Sequence, residues 1–394
     1  MIKPSSTFNA LEYIRQELAR LKVQGLHRSR RLLESPQGPH VYVDGRAVLS
    51  FCSNDYLGLA NHPALIAAAS QAVLSTGVGV GASHLITGHH ALHHALETRI
   101  AEFVGLPAAL LFSTGYMANI GVVTALLGRD GEVFADRLNH ASLNDAALLS
   151  RAKLTRYPHN DRATLETQLA ASRATQKLVL VDAVFSMDGD LAPLPDLLAL
   201  CERYDAWLLV DDAHGFGVLG PGGRGSLAHF GLASPRIVYM ATLGKAAGVF
   251  GAVVVGEIEV IEWLLQKART YIYTTATPPL LSATLLASID LIEAGNDLRV
   301  HLQKLIKQLR AGLRTPNWQL MDSVTPIQPV LIGSNDAVLA ASQRLLERGI
   351  LVPAIRPPTV PANSARLRIS LSAAHTETDV AQLVGALNSI HAAG

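Results

Sequence analysis

One lysine, Lys245, lies in the middle of "VYMATLGKAAGVFGAVVVG", residues 238–256, a stretch otherwise made of apolar and small residues. Burial disfavours the charged form of an amine, lowering its pKa and turning it toward nucleophilic or Schiff-base chemistry. A lysine that snorkels to a nearby surface is the alternative, but Gly244, Ala246, Ala247 and Gly248 leave room beside the backbone for a flat ligand. Four further places put polar residues directly after apolar runs, where open α/β sheets bind ligands. "LLFSTGYMAN" runs through Ser113, Thr114 and Gly115 into a helical pattern, a joint that offers free N–H groups to a phosphate-sized anion. "WLLVDDAHGFGVLG" ends an apolar run with Asp211, Asp212 and His214, a set open to metal binding, acid-base work or contact with a cofactor ring. "LVDAVFSMDGD" places Ser186 and Asp188 in a turn, and "DRLNHASLNDAA" places His140 before a helix capped by Asn139 or Ser142.

Taken together, an anion cup, a strand-end acid, histidines and a desolvated amine suit pyridoxal phosphate, whose aldehyde needs an amine and whose ring nitrogen needs a carboxylate. A nicotinamide site would want G-x-G-x-x-G opening the first β-α turn, and Gly77 to Gly81 lie in the wrong context for that. No metal ligand set is assigned. Side chains alternate along a strand, so Asp212 is expected to face away from Asp211.

These residues need a scaffold of strands. The pattern predicts strands at residues 108–112, 132–135, 177–181, 207–210, 237–241 and 252–255, alternating with helices such as 93–104, hence an α/β fold with a mostly parallel sheet covered on both faces. Ahead of them stand an arm with Leu11, Ile14, Leu18 and Leu21 at helical spacing, the basic cluster "HRSRR", and a hairpin around Asp44 and Gly45. After "TTATPP" a long helical region runs to about residue 313, followed by strands at 327–332 and 365–371 mixed with helices. The domain reading is therefore an N-terminal arm and hairpin over 1–55, a large cofactor-binding domain over 56–290, and a small α+β C-terminal domain over 291–394.

The 394 residues include 33 Lys and Arg against 32 Asp and Glu, a balance that argues against nucleic acid as a partner. Two cysteines, Cys52 and Cys201, are too few for a disulfide framework. The charged first thirty residues hold no apolar signal core, and Lys245 interrupts the one apolar stretch of spanning length, so the expectation is a cytoplasmic chain with no membrane partner.

"SNDYLGL", "DRLNHASL", "FSMDGD", "DDAHGFGVLG" and "TLGKAAG", in that order over nearly the whole chain, resemble the α-oxoamine synthases. These are pyridoxal-phosphate enzymes of the aspartate-aminotransferase fold (fold type I) that join an amino acid to an acyl thioester with loss of CO2. The resemblance implies that Lys245 bonds the cofactor, Asp211 pairs with its pyridine nitrogen, His214 bonds its phenolic oxygen and His140 stacks on its ring. It further implies cofactor contacts from Gly115, Tyr116, Ser186 and Thr242. Arg356 stands as the clamp for the amino acid's carboxylate, and Thr359 and Arg28 as substrate contacts. "YTTATPP" resembles the segment that reaches a partner subunit's phosphate, so Thr274 or Thr275 implies a homodimer with a shared site. The segment "AIRPPTVP" resembles members that condense L-alanine with a pimeloyl thioester, carried on CoA or on a carrier protein. Asp182, Ala183 and His89 depart from the family pattern. The rival expectations are a glycine-using member, an aminotransferase, and a catalytically silent subunit of a heteromeric acyltransferase.

Overall fold

The structure, a computed structural model, describes residues 9–392. Its centre is a seven-stranded sheet in the order β3-β9-β8-β7-β6-β4-β5. The strands are β3 (Ala108–Phe112), β4 (Gly131–Asp136), β5 (Lys153–Tyr157), β6 (Gln176–Asp182), β7 (Trp207–Asp211), β8 (Ile237–Thr242) and β9 (Ala252–Gly256). Only β9 runs antiparallel to its neighbours, so the sheet is mixed and mostly parallel. The apolar stretch around Lys245 is thus two adjacent strands, β8 and β9, with the lysine in the turn between them. The β5 strand, "KLTRY", went unread in the sequence because its polar residues give no apolar run, and it lies at the sheet edge.

Period-two alternation sorts the strand residues between two cores. Val179, Val181, Leu208, Val210, Tyr239 and Ala241 pack on one face, while Leu178, Leu180, Leu209, Val238 and Met240 pack on the other. The second face is covered by α4 (Gly115–Leu126) and α5 (Ala141–Ser150), following α1 (Ala10–Val23), α2 (Pro63–Thr76) and α3 (Ala91–Val104) in the chain. With both faces dry, a charged side chain on a central strand must lie near one of its ends. Asp211 and Asp212 do, and the alternation sends them apart: Asp211 meets Asn119 of α4, whereas Asp212 meets Tyr239.

Residues beyond the large sheet form a second one, β10-β11-β14-β13, from β10 (Gln319–Leu320), β11 (Ile327–Gly333), β13 (Ala354–Ile355) and β14 (Ala365–Ser370). The long helical region before it is two helices, Pro279–Ala294 and Asn296–Gly312, parted at Gly295. The N-terminal hairpin of β1 (His40–Val43) and β2 (Arg46–Ser50) is joined by β12 (Ile350–Leu351), which pairs parallel with β2. The hairpin is thereby tied to the C-terminal part, an arrangement no local pattern announces. Residues 1–8 and 393–394, at the ends of the two outer ranges read from the sequence, lie outside the described residues. Helix α1 forms as its spacing predicts, yet none of its residues is buried. No helix among the described residues is long and apolar enough to cross a membrane.

Candidate functional site

Lys245 is held by the turn from β8 to β9, which closes through bonds from Gly248 N–H to the Lys245 carbonyl (2.8 Å) and from Leu243 N–H to the Gly251 carbonyl (2.8 Å). Gly248 has φ +69°, and a Cβ there would lie 2.7 Å from the backbone of Leu59 and Ala60. Only glycine lets the turn settle onto the "SNDYLGL" segment. Burial lowers the Lys245 amine to about 8, against the raising pull of Asp211 and Asp182. An amine in that range is free at slightly alkaline pH and can act as base or nucleophile.

The Lys245 Nζ lies 2.9 Å from His214 Nε2, and His214 Nδ1 lies 2.6 Å from the Tyr56 hydroxyl. Tyr56 in turn donates to Asn54 Oδ1 (3.2 Å), which also accepts from Arg368 (3.1 Å). Burial, then the charges of Lys245 and Arg368, hold His214 well below the ordinary histidine range, so the ring is neutral and its tautomer is set by these neighbours.

Asp211 accepts from Asn119 Nδ2 (2.8 Å) and from Ala213 N–H (3.1 Å). Asn119 also donates to Ser142 Oγ (2.9 Å), which bonds His140 Nδ1 at 2.7 Å, so α4 and α5 jointly fix the acid and the histidine. The α5 helix is capped by His140 itself, not by Asn139 or Ser142. Its Nδ1 accepts the Ser142 N–H (3.3 Å), which leaves Nε2 as the protonated nitrogen. Burial lowers His140 below its ordinary value, opposed by Asp211. Asp182 holds the His140 N–H at 2.6 Å, and burial together with Asp211 raises its own carboxyl well above the usual carboxylate range. Ala183, beside it, is fully buried.

At the head of α4, Thr114 Oγ1 accepts the Met117 N–H (3.2 Å), while no acceptor among the described residues takes the N–H groups of Gly115 and Tyr116. Two free N–H groups at the positive end of a helix dipole make an anion cup. Thr242 borders it, its Cβ 3.8 Å from where a Cβ on Gly115 would stand. The Tyr116 hydroxyl is turned outward to Asp145.

Arg28, His140, Ser186 and Thr359 line one hollow of about 590 Å³, together with Pro358, Val360 and Pro361. Arg356 goes elsewhere. Its Nη1 donates to the Gly25 carbonyl, and its side chain lines a neighbouring hollow of about 720 Å³ with Lys22, His27, Arg28 and Arg31. The cation whose charge bears on Lys245 and His214 is Arg368, a residue the sequence reading passed over. Arg368 is 5% exposed, bonds the Ser186 carbonyl (2.6 Å) and Ser370 Oγ (2.7 Å), and has no carboxylate partner among the described residues. Its signal was present in "ARLRIS", where two arginines alternate with apolar residues, but alternation alone places such arginines toward solvent. Arg366, the other, is paired to Asp188 at 2.7 Å. Asn119 and Tyr56 were also missed, both inside quoted motifs. Thr274 and Thr275 are not brought to the lysine: their side chains make no hydrogen bond among the described residues, and the neighbouring Ala276 N–H bonds the Ala82 carbonyl (2.9 Å).

A buried amine, a strand-end carboxylate, two neutral imidazoles and an anion cup fit pyridoxal phosphate, and in this fold they define the fold type I transferases that use it. Residues 46–387 match the family described as aminotransferase class I and II. The solved structure of SPT with PLP is similar over 98% of this chain and 99% of that one, with TM-score 0.92 and 29% identity. A protein of Nitrosospira multiformis named 8-amino-7-oxononanoate synthase is 62% identical over 379 residues, 96% of each chain. The crystal structure of 8-amino-7-oxononanoate synthase from Francisella tularensis shares 30% identity and TM-score 0.76, covering 87% of this chain and 97% of that one. The chain belongs to the 8-amino-7-oxononanoate synthase family.

Proposed function

We propose that the chain condenses L-alanine with a pimeloyl thioester, releasing CO2 and the thiol and yielding 8-amino-7-oxononanoate for biotin biosynthesis. The observation that carries this reading is the buried Lys245 amine, lowered to about 8, in contact with His214 and within the field of Asp211. Lys245, Asp211, His214 and the N–H groups of Gly115 and Tyr116 would hold pyridoxal phosphate, with Ser186 and Thr242 as further contacts, and the group would supply an electron-accepting ring. Lys245, once free, takes the proton from the alanine Cα. Asp211 would pair with the ring nitrogen, and Asn119 keeps Asp211 in place. His140 presents its Nε2–H to the oxygen of the acyl carbonyl, where the new keto group needs a proton.

Arg368 receives the alanine carboxylate. It is buried, lacks an acidic partner, and its Nη2 bonds no protein group among the described residues, which leaves one arm of the fork for a ligand. Thr359 and Arg28 meet the acyl chain. Arg356 joins Lys22, His27 and Arg31 in a hollow whose lining has no acid, suited to the phosphate of the thioester's carrier, whether CoA or a carrier protein. The active form is a homodimer in which Thr274 or Thr275 reaches the partner's cofactor phosphate, a reading consistent with these threonines making no side-chain hydrogen bond among the described residues.

Incubation of the pyridoxal-phosphate-loaded protein with L-alanine and pimeloyl-CoA should give a product with the mass of 8-amino-7-oxononanoate. Higher kcat/KM with glycine and acetyl-CoA would move the chain to the glycine-using branch. Absence of a visible cofactor band would sustain the silent-subunit alternative.

A further inference from the structure

Five histidines between residues 84 and 94 take no part in the proposed reaction: His84, His89, His90, His93 and His94. Two are tied into the start of α3. His90 caps α3 by accepting the Leu92 N–H (3.1 Å), while His93 accepts the His90 N–H (2.9 Å) and bonds the Thr277 carbonyl through Nε2 (2.8 Å). His84, stacked on Tyr271, puts its Nδ1 3.1 Å from His89 Nδ1. The atoms that make no hydrogen bond among the described residues include His89 Nε2, the ring of His94 and one oxygen of Glu97. His94 and Glu97 stand three apart on α3 and so share a face. Glu97 is buried, its Oε1 accepts the Leu111 N–H (2.9 Å), and its Oε2 lies 3.8 Å from His89 Nε2 and makes no hydrogen bond among the described residues. One ligand atom from each of His89, His94 and Glu97 lies within 4.8 Å of the other two.

We propose that His89, His94 and Glu97 bind one divalent transition-metal ion, with Zn2+ as the best match and water completing the shell. Two imidazole nitrogens and a carboxylate oxygen are a donor set zinc accepts, at about 2.0–2.2 Å each. Tetrahedral ligands at that distance stand roughly 3.3 Å apart. The 3.8 Å gap from His89 to Glu97 is close to this, and the exposed rings of His89 and His94 can turn inward. The ion also gives His89 a defined tautomer. With Nε2 on the metal, Nδ1–H donates to His84 Nδ1, the outer hydrogen bond that orients a ligating histidine. The site would tie the turn before α3 to the body of that helix, at a position where the chain departs from the family pattern.

The test uses tag-free, cofactor-loaded protein titrated with Zn2+ against a chromophoric chelator, together with its thermal midpoint. The expected result is one Zn2+ per chain and a midpoint that rises with free Zn2+, since an ion bound only to the folded state stabilises it. His94→Ala removes an exposed ligand without opening the core, and Glu97→Gln keeps an acceptor for Leu111 while losing the charge. Each should weaken Zn2+ by roughly tenfold or more, a loss of about 1.4 kcal/mol, and abolish the midpoint shift with basal turnover unchanged. Unchanged Zn2+ affinity in both variants, or no binding by the parent, overturns the proposal. So does a loss confined to His84→Ala, which would put the ion on the other side of His89.

Discussion

Chemistry at the single residue turns on which form of each group burial permits. In cofactor-free protein the Lys245 amine should react with an acylating reagent along a curve centred near pH 8, and Lys245→Ala should remove that reactivity together with turnover. Asp211 raises the amine, so Asp211→Asn should move the curve to lower pH and slow the reaction by roughly 10², the usual size of a positioned acid-base contribution. Asp212→Asn, on the other face of the sheet, should change stability rather than rate. Arg368→Lys keeps the charge but loses the fork, and the KM for alanine should rise by about tenfold, the cost of a charge-assisted bond of about 1.4 kcal/mol. Arg356→Lys should leave the alanine KM nearly untouched and act on the thioester instead. Steady-state kinetics on the two variants separates these outcomes. Lys245, Asp211, His214 and His140 were legible because each follows an apolar run within a motif. Arg368 was not, because only tertiary packing turns that face of β14 inward.

Turns and strand ends carry the next level. At Gly248, with φ +69° and backbone 2.7 Å from any added Cβ, Gly248→Ala should cost roughly 2–4 kcal/mol, a size seen where strain and overpacking combine. Denaturant unfolding would measure it. The "FSMDGD" turn that presents Ser186 is anchored by His159, bridged between Asp136 Oδ1 (3.2 Å) and Asp190 Oδ2 (2.8 Å). Despite burial, the two carboxylates raise His159 to about 10. A group raised in the folded state stabilises it fully below its unfolded value, about 6.5, and loses that contribution as pH climbs through about 10. His159→Gln should therefore be less stable than the parent at pH 6, by about 2 kcal/mol once exposure of the ring is allowed for. The gap should close by about pH 10.5. Unfolding curves at both pH values test the sign, and a gap that widens with pH would refute the bridge.

For the whole molecule the sharpest question is whether the site is completed by a second chain. Mixing Lys245→Ala protein with protein carrying Thr274→Val and Thr275→Val should recover activity if those threonines serve the partner's cofactor. In the hybrid, one site then receives an intact lysine and intact threonines. No recovery, in subunits shown by light scattering to exchange, would place the threonines in a role within their own chain. The β12–β2 pairing belongs to this scale too, since it joins parts of the chain far apart in sequence.

By itself the sequence determined six of the seven strands of the α/β core, because continuous apolar runs report burial on both sheet faces. It also determined the lysine, acid and histidines, because strand ends in such a sheet are where polar groups can stand, and their motifs name the family. Tertiary structure alone decided which arginine faces the lysine, that Asn119 and Ser142 lock Asp211 to His140, and that a C-terminal strand completes the N-terminal hairpin. The physical reason is the same in each case. These contacts join residues far apart in the chain or lie on faces that alternation cannot assign, and their energy exists only once the separate elements have packed.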